Sequence, residues 1–260
     1  MDFTYWYLFP IGIIISIMAM SAGVSGANFW IPVYIFVLKL DPLISFWLAL
    51  LTMVFGFGSG VIRNLYQRTI NWHMVGQYLI PVVPGAIIGS LLTSYIEGNT
   101  LVLIFGVFVF VYGTYLLITT MSSKKEAGRH NRIFWGVGFA AGFLKGLIAT
   151  GLGKLIVPCI WNHERIEHPS HAIGSAIVII FIVDIVAAVT RMNPVFVGSL
   201  MDNWDLLLDV MIFVVPAVVI GGQVGPRVIR DVNSKHLRIY IAMMLILVSG
   251  LIFSQVSTIF

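Results

Sequence analysis

The sequence predicts an all-α polytopic membrane protein built as two inverted repeats, each a broken, re-entrant helical hairpin followed by three transmembrane helices. Three observations predict it. The 260 residues are 59% hydrophobic and 10% charged, with a mean hydropathy of +0.98, whereas a soluble domain carries about 25% charged residues. Apolar runs of membrane-spanning length recur along the whole chain, as helices require and a barrel's short alternating strands do not. Finally, a series of landmarks recurs in the same order at an offset of about 130 residues, the mark of an internal duplication.

The elements follow in order. The first apolar run, 5–38, is interrupted at 21–28. The stretch GVSGANFWIP carries Gly23 and Gly26, which loosen a helix, and ends in proline. Spans follow at 43–62, 73–96 and 101–121, the last with Asn99 as its expected cap. The polar segment 122–132, SSKKEAGRHNR, is too short for a domain and reads as a linker between a first repeat, 1–121, and a second, 133–260. The second repeat opens on another broken run, 133–161, interrupted at GLGKLIVP, where Gly151 and Gly153 precede Lys154 and Pro158. Spans follow at 170–190, 206–224 and 236–253. Arg191 ends its span as Arg63 ends its counterpart. Trp204 echoes Trp72, and Pro216, Gly221 and Gly225 echo Pro81, Gly85 and Gly89.

Charge decides the orientation. If each broken run enters and leaves on one side, eleven basic residues gather on one face of the membrane (Arg63, Arg68, Lys124, Lys125, Arg129, Arg132, Arg165, Arg227, Arg230, Lys235 and Arg238). The other face then has only Lys39 and Arg191. If each broken run crosses, the same residues divide almost evenly, so the positive-inside rule selects the inverted arrangement. Both termini are then expected outside a plasma (inner) membrane, with 122–132 cytoplasmic. Length agrees: residues 5–20 make about 24 Å of helix and 29–38 about 15 Å, each short of a core about 30 Å thick. The basic loops explain the net charge of +4 and pI of 9.3 without nucleic acid as a partner. The N-terminus lacks the basic region of a signal peptide, and the single cysteine, Cys159, excludes an internal disulfide.

Paired breaks in corresponding halves point to a transporter binding site near the bilayer midplane. A new helix is expected to start near Asn28 and another near Lys154. Their first N–H groups lack intrahelical partners and carry partial positive charge, which makes an anion site. Gly23, Ser25, Gly26, Asn28, Thr150, Gly151, Gly153 and Lys154 are the expected ligands, with Ser175 on the path. An alternative reading has the glycines serve only close helix packing. Asp184 is an acid at membrane depth, expected to carry a proton or to pair with Lys154 or Lys145; Lys145 alternatively snorkels to the cytoplasmic surface. His171 shares a helix face with Ser175 or lies at the interface. HERIEH, with His163, Glu164 and His168, resembles HExxH, but Glu167 stands where the second ligand histidine belongs, so no metal is expected. No phosphate-binding loop motif is present, and no cofactor is expected.

The paired breaks GVSGANFWIP and GLGKLIVP, HPSHAIGSA after the second break, and YQRTINW followed by PGAIIG resemble the sulfite exporter TauE/SafE family, also called the toluene sulfonate uptake permease family. The resemblance covers nearly the whole chain. It implies transport of small anions, often sulfite, sulfoacetate or other organosulfonates, and not an enzyme. Family members carry a glycine-rich G-x-G-G-G at the breaks, from which Asn28 and Lys154 depart. The expectation is secondary transport by alternating access, coupled to H+ or another ion. The rivals are a passive anion channel of the same fold and an intramembrane metalloenzyme.

Overall fold

The computed structural model describes residues 3–22, 25–121, 135–161, 163, 164, 166, 168–228 and 234–256. The linker 122–132 and Gly23 lie outside them. The described residues are nearly all helical: α1 (Leu8–Ala22), α2 (Ala27–Pro32), α3 (Pro42–Tyr66), α4 (Trp72–Leu92), α5 (Gly98–Met121), α6 (Trp135–Ile148), α7 (Leu152–Trp161), α8 (Pro169–Thr190), α9 (Pro194–Asp202), α10 (Trp204–Val228) and α11 (Ser234–Val256). Six helices, α3, α4, α5, α8, α10 and α11, are long and apolar enough to cross a membrane, and the pieces of the two broken runs are shorter.

Local sequence explains the boundaries. Asp41 caps α3, its carboxylate accepting from Leu43 N at 2.8 Å, with Pro42 in the first turn. Asn71 caps α4 and Asn193 caps α9. Pro32 cannot donate in a helix, and after it the chain widens into a π-turn over Val33–Val37, closed by Leu38 N to Val33 O. Asn99 does not cap α5, which already begins at Gly98. The short helix α9 was not foreseen. Its apolar run, PVFVGSLM, is too short to mark a span, and among the described residues no helix stands at the matching place between α3 and α4.

Side-chain pairings give the helix directions. Trp47 Nε1 donates to Ala188 O at 3.1 Å, Gly60 faces Ile177, and Asn71 N donates to Ser175 Oγ at 2.9 Å, so α3 and α8 run antiparallel. Gly106 faces Ile252 and Gly113 faces Leu245, so α5 and α11 are antiparallel too. By contrast, Gly138 faces Pro81 and Gly146 faces Ala86, which makes α4 and α6 parallel; Gly12 on Ala217 and Gly221 on Ser16 do the same for α1 and α10. It follows that α6 leaves, and α7 regains, the end of the bundle where α3 meets α4, while α1 and α2 leave and regain the opposite end. Past the breaks the chain returns against the middle of the spans: Gly26 touches Met53, in the middle of α3, and Gly153 touches Ile180, in the middle of α8, while the end of α6 lies beside the last turn of α4, where Gly146 meets Ser90 N.

Glycine sets how close the helices come. A Cβ on Gly142 would run into the Val82 carbonyl, and one on Gly146 into that of Ala86, so α4 and α6 approach backbone to backbone.

Candidate functional site

The two breaks meet through side chains. Thr150 Oγ1, after the end of α6, donates to Asn28 Oδ1, at the start of α2, at 2.7 Å, and both residues are fully buried. The residues at and just after the two breaks also carry buried donors with no acceptor among the described residues: Ser25 Oγ, Asn28 Nδ2, Trp30 Nε1 and Lys154 Nζ. Buried polar atoms are almost always paired, so each such orphan needs a reason. Trp30, fully buried and stacked on Tyr34 at 5.2 Å, was missed in the sequence because one tryptophan among seven carries no mark of depth.

The two helix starts differ. At α2 the N–H groups of Asn28, Phe29 and Trp30 already bond to Ser25 O or Gly26 O. At α7 the first backbone bond runs from Leu155 N to Gly151 O, so Leu152, Gly153 and Lys154 present N–H groups without helical acceptors. The turn between α6 and α7 takes two residues through positive φ, Ala149 (57°) and Gly151 (98°). For alanine that conformation is strained.

Lys154 Nζ lies over the Tyr112 ring, 3.4 Å from its centroid, and 5.3 Å from that of Phe108, so a cation–π contact holds it. Lys145 does not snorkel. It is 1% exposed, its ammonium 2.6 Å from Asp184 Oδ1 and donating to Ala149 O at 3.0 Å. A charged pair at this depth persists because each ion compensates the other.

Arg191 corrects the sequence reading as well. It was placed in an outer loop, yet it is 4% exposed. Its Nη2 donates to Gly146 O at 2.6 Å and Leu147 O at 2.9 Å, and Ser90 Oγ adds a longer bond to Gly146 O. Two cations, Lys145 and Arg191, thus satisfy the carbonyl end of α6, the negative pole of its dipole. The signal for Arg191 was its place directly after an apolar run.

Ser175 and His171 do not join this group. Ser175 accepts from Asn71 at the α3–α4 connection, and His171 stacks edge-on with His168 at 6.0 Å. Glu164 is exposed, and among the described residues no three His, Cys, Asp or Glu side chains come close enough to share a metal. Beside the first break is a cavity of about 20 Å³ lined by Ser16, Gly26, Met53, Gly56 and Phe57 among others, room for about one water.

Six helices long and apolar enough to span, with shorter apolar helices in the two broken runs, describe a polytopic α-helical membrane protein. Residues 8–252 match the family described as sulfite exporter TauE/SafE, and the chain belongs to it. It is similar to the probable membrane transporter protein YunE of Bacillus subtilis, 21% identical over 93% of this chain and 94% of that one. It is also similar to the probable membrane transporter protein MJ0441 of Methanocaldococcus jannaschii, 20% identical over 94% and 95%. No solved structure matches the chain. The protein is therefore a membrane transporter, integral and multi-pass, and the names of its family and relatives are those of transporters rather than enzymes.

Proposed function

We propose that this chain is a secondary transporter of small oxyanions, sulfur-containing ones first, that binds its substrate at mid-membrane between the two breaks. The observation that carries the reading is the set of buried, unpartnered donors: Ser25 Oγ, Asn28 Nδ2, Trp30 Nε1 and the Lys154 ammonium. An oxyanion accepts from all of them and offers no donor that would need a partner of its own. The free N–H groups of α7 add the positive end of a helix dipole. Sulfite and organosulfonates come from the family's description and the resemblance behind it; the residues specify an oxyanion.

The halves 1–121 and 133–260, joined by 122–132, act as inverted repeats in this reading. The antiparallel runs of α3 against α8 and of α5 against α11 support it, because a two-fold axis along the membrane normal would make equivalent helices parallel. So does the match between Gly26–Met53 and Gly153–Ile180, in which 26 + 127 = 153 and 53 + 127 = 180. In this reading the basic loops favour both termini outside and the α3–α4 end in the cytoplasm. Alternating access then moves one repeat against the other around the fixed site. Asp184, paired with Lys145, is the group through which a proton or another ion couples. The test is uptake by proteoliposomes of sulfite, sulfoacetate, sulfate and lactate, with and without a pH gradient. Saturable, gradient-dependent flux of a sulfur oxyanion is the expected result; flux that ignores the gradient and does not saturate would replace the transporter with a channel.

A further inference from the structure

Arg63 and Arg191 end equivalent helices, yet they stand in opposite states. We propose that they are the paired gate residues of the transport cycle, each holding its own end of the molecule shut in turn. The proposal rests on the inverted-repeat reading above.

At one end, Arg191 is buried and its guanidinium clasps the Gly146 and Leu147 carbonyls, tying the end of α8 to the end of α6. Asn193 Nδ2, two residues on, donates to Ser94 Oγ at 2.9 Å and brings in the end of α4. That end is closed. At the other end, Arg63 is half-buried and its guanidinium makes no hydrogen bond or ion pair among the described residues. It lines a cavity of about 420 Å³ with Ile62, Tyr66, Gln67 and Gln223. One turn deeper, Gln223 Nε2 donates to Ser59 O at 2.8 Å, bridging α10 to α3. Below that bridge begins the small cavity at Gly56, Met53 and Gly26. The α3 positions 56, 59 and 63 therefore form one stripe from the open cavity toward the first break.

Symmetry supplies the partner Arg63 lacks. Gly146 on Ala86 is mirrored by Ser16 on Gly221. By this correspondence Gly146 and Leu147 match Ser16 and Ile17, but α1 runs on to Ala22, so its free carbonyls are those of 19–22, about a turn further along. The arginine near the end of α3 lies at the end of the molecule toward which α1 runs. A helix's carbonyl end carries partial negative charge, and the guanidinium fork spans two acceptors where an ammonium makes a point contact. When the Arg191 end opens, its clasp breaks; when the Arg63 end closes, the same clasp forms on α1. Exchange of the two states is one half-cycle of alternating access.

The test is cysteine accessibility in membrane vesicles of each orientation, with Cys159→Ser removing the native thiol. Ser59→Cys reports on the Arg63 end and Thr93→Cys on the Arg191 end, both read with a membrane-impermeant maleimide. Arg191→Ala is expected to raise labelling at the Thr93 reporter about fivefold or more and to lower it at the Ser59 reporter. Arg63→Ala is expected to leave the Thr93 reporter protected and the Ser59 reporter open. Arg191→Lys keeps the charge without the fork and gives the Ala result in smaller measure, which covers an Arg191→Ala protein that fails to fold. Unchanged labelling at both reporters in the Arg191 variants, or an Arg63 variant that behaves like them, overturns the proposal. Labelling needs no substrate, so a labelling shift without sulfite flux would retire the substrate reading alone, and flux without the shift would retire the gate alone.

Discussion

Lys145 and Asp184 should behave as one coupled unit, with each single substitution worse than the double. The ions are 2.6 Å apart and 1% and 0% exposed. Removing one partner strands the other in the interior, at a cost of about 3–5 kcal/mol. Asp184→Leu leaves the ammonium with the Ala149 carbonyl alone; Lys145→Ile leaves a bare carboxylate and an orphaned Ala149 carbonyl. In the double variant no charge remains, and the residual cost is the unpaired carbonyl, about 1–3 kcal/mol. In the repeat reading proposed above, apolar residues hold these places in the first half: Gly12 and Gly142 lie 142 − 12 = 130 apart, which matches Ile15 to Lys145, and the offset of 127 matches Phe57 to Asp184. The assay is an unfolding titration of the purified protein in mixed micelles, run as a double-mutant cycle. Additive losses would refute the coupling. A double variant that folds and still carries gradient-driven flux would confine the pair to structure.

Further predictions concern the second break and the helix contacts. Ala149→Gly relieves a left-handed alanine (φ 57°) at a buried site and should stabilise by about 1 kcal/mol in the same titration. Gly151→Ala should destabilise by about 1–3 kcal/mol, because its φ is 98° and a Cβ would lie 3.1 Å from the Phe108 ring. Gly142→Ala pushes a methyl into the Val82 carbonyl and should cost about 1–3 kcal/mol or more, whereas Gly76→Ala, with nothing within 4 Å, should be tolerated. Thr150→Val keeps the volume and deletes the hydrogen bond that ties the two breaks together, so it should weaken substrate affinity in flux assays more than it weakens the fold.

The breaks were legible because glycines, a following proline and an interrupted apolar run are local signals. The structure starts α2 at Ala27 and α7 at Leu152, within two residues of the expected Asn28 and Lys154. Span limits were legible to a few residues, with Arg63 falling inside α3 rather than after it. What lay beyond the sequence was opposition between helices. Spacing put His171 and Ser175 on one face but could not say that this face meets the α3–α4 connection. Lys145 could equally have reached the surface, since only the position of α8 beside α6 gives it Asp184. Arg191 was read as a loop cation because a run's end looks the same whether the next residue meets water or the carbonyls of another helix.

The measurement that bears most directly on the anion site is the concentration dependence of sulfite uptake in proteoliposomes for wild type and Lys154→Ala. Lys154 Nζ is buried and, among the described residues, is held by the faces of Tyr112 and Phe108 and by no hydrogen bond. A charge-assisted hydrogen bond to a bound anion is worth about 1.5–3 kcal/mol, so losing it should raise the half-saturating concentration roughly 10- to 150-fold at 1.4 kcal/mol per decade. Uptake with an unchanged half-saturating concentration would contradict a substrate site at Lys154.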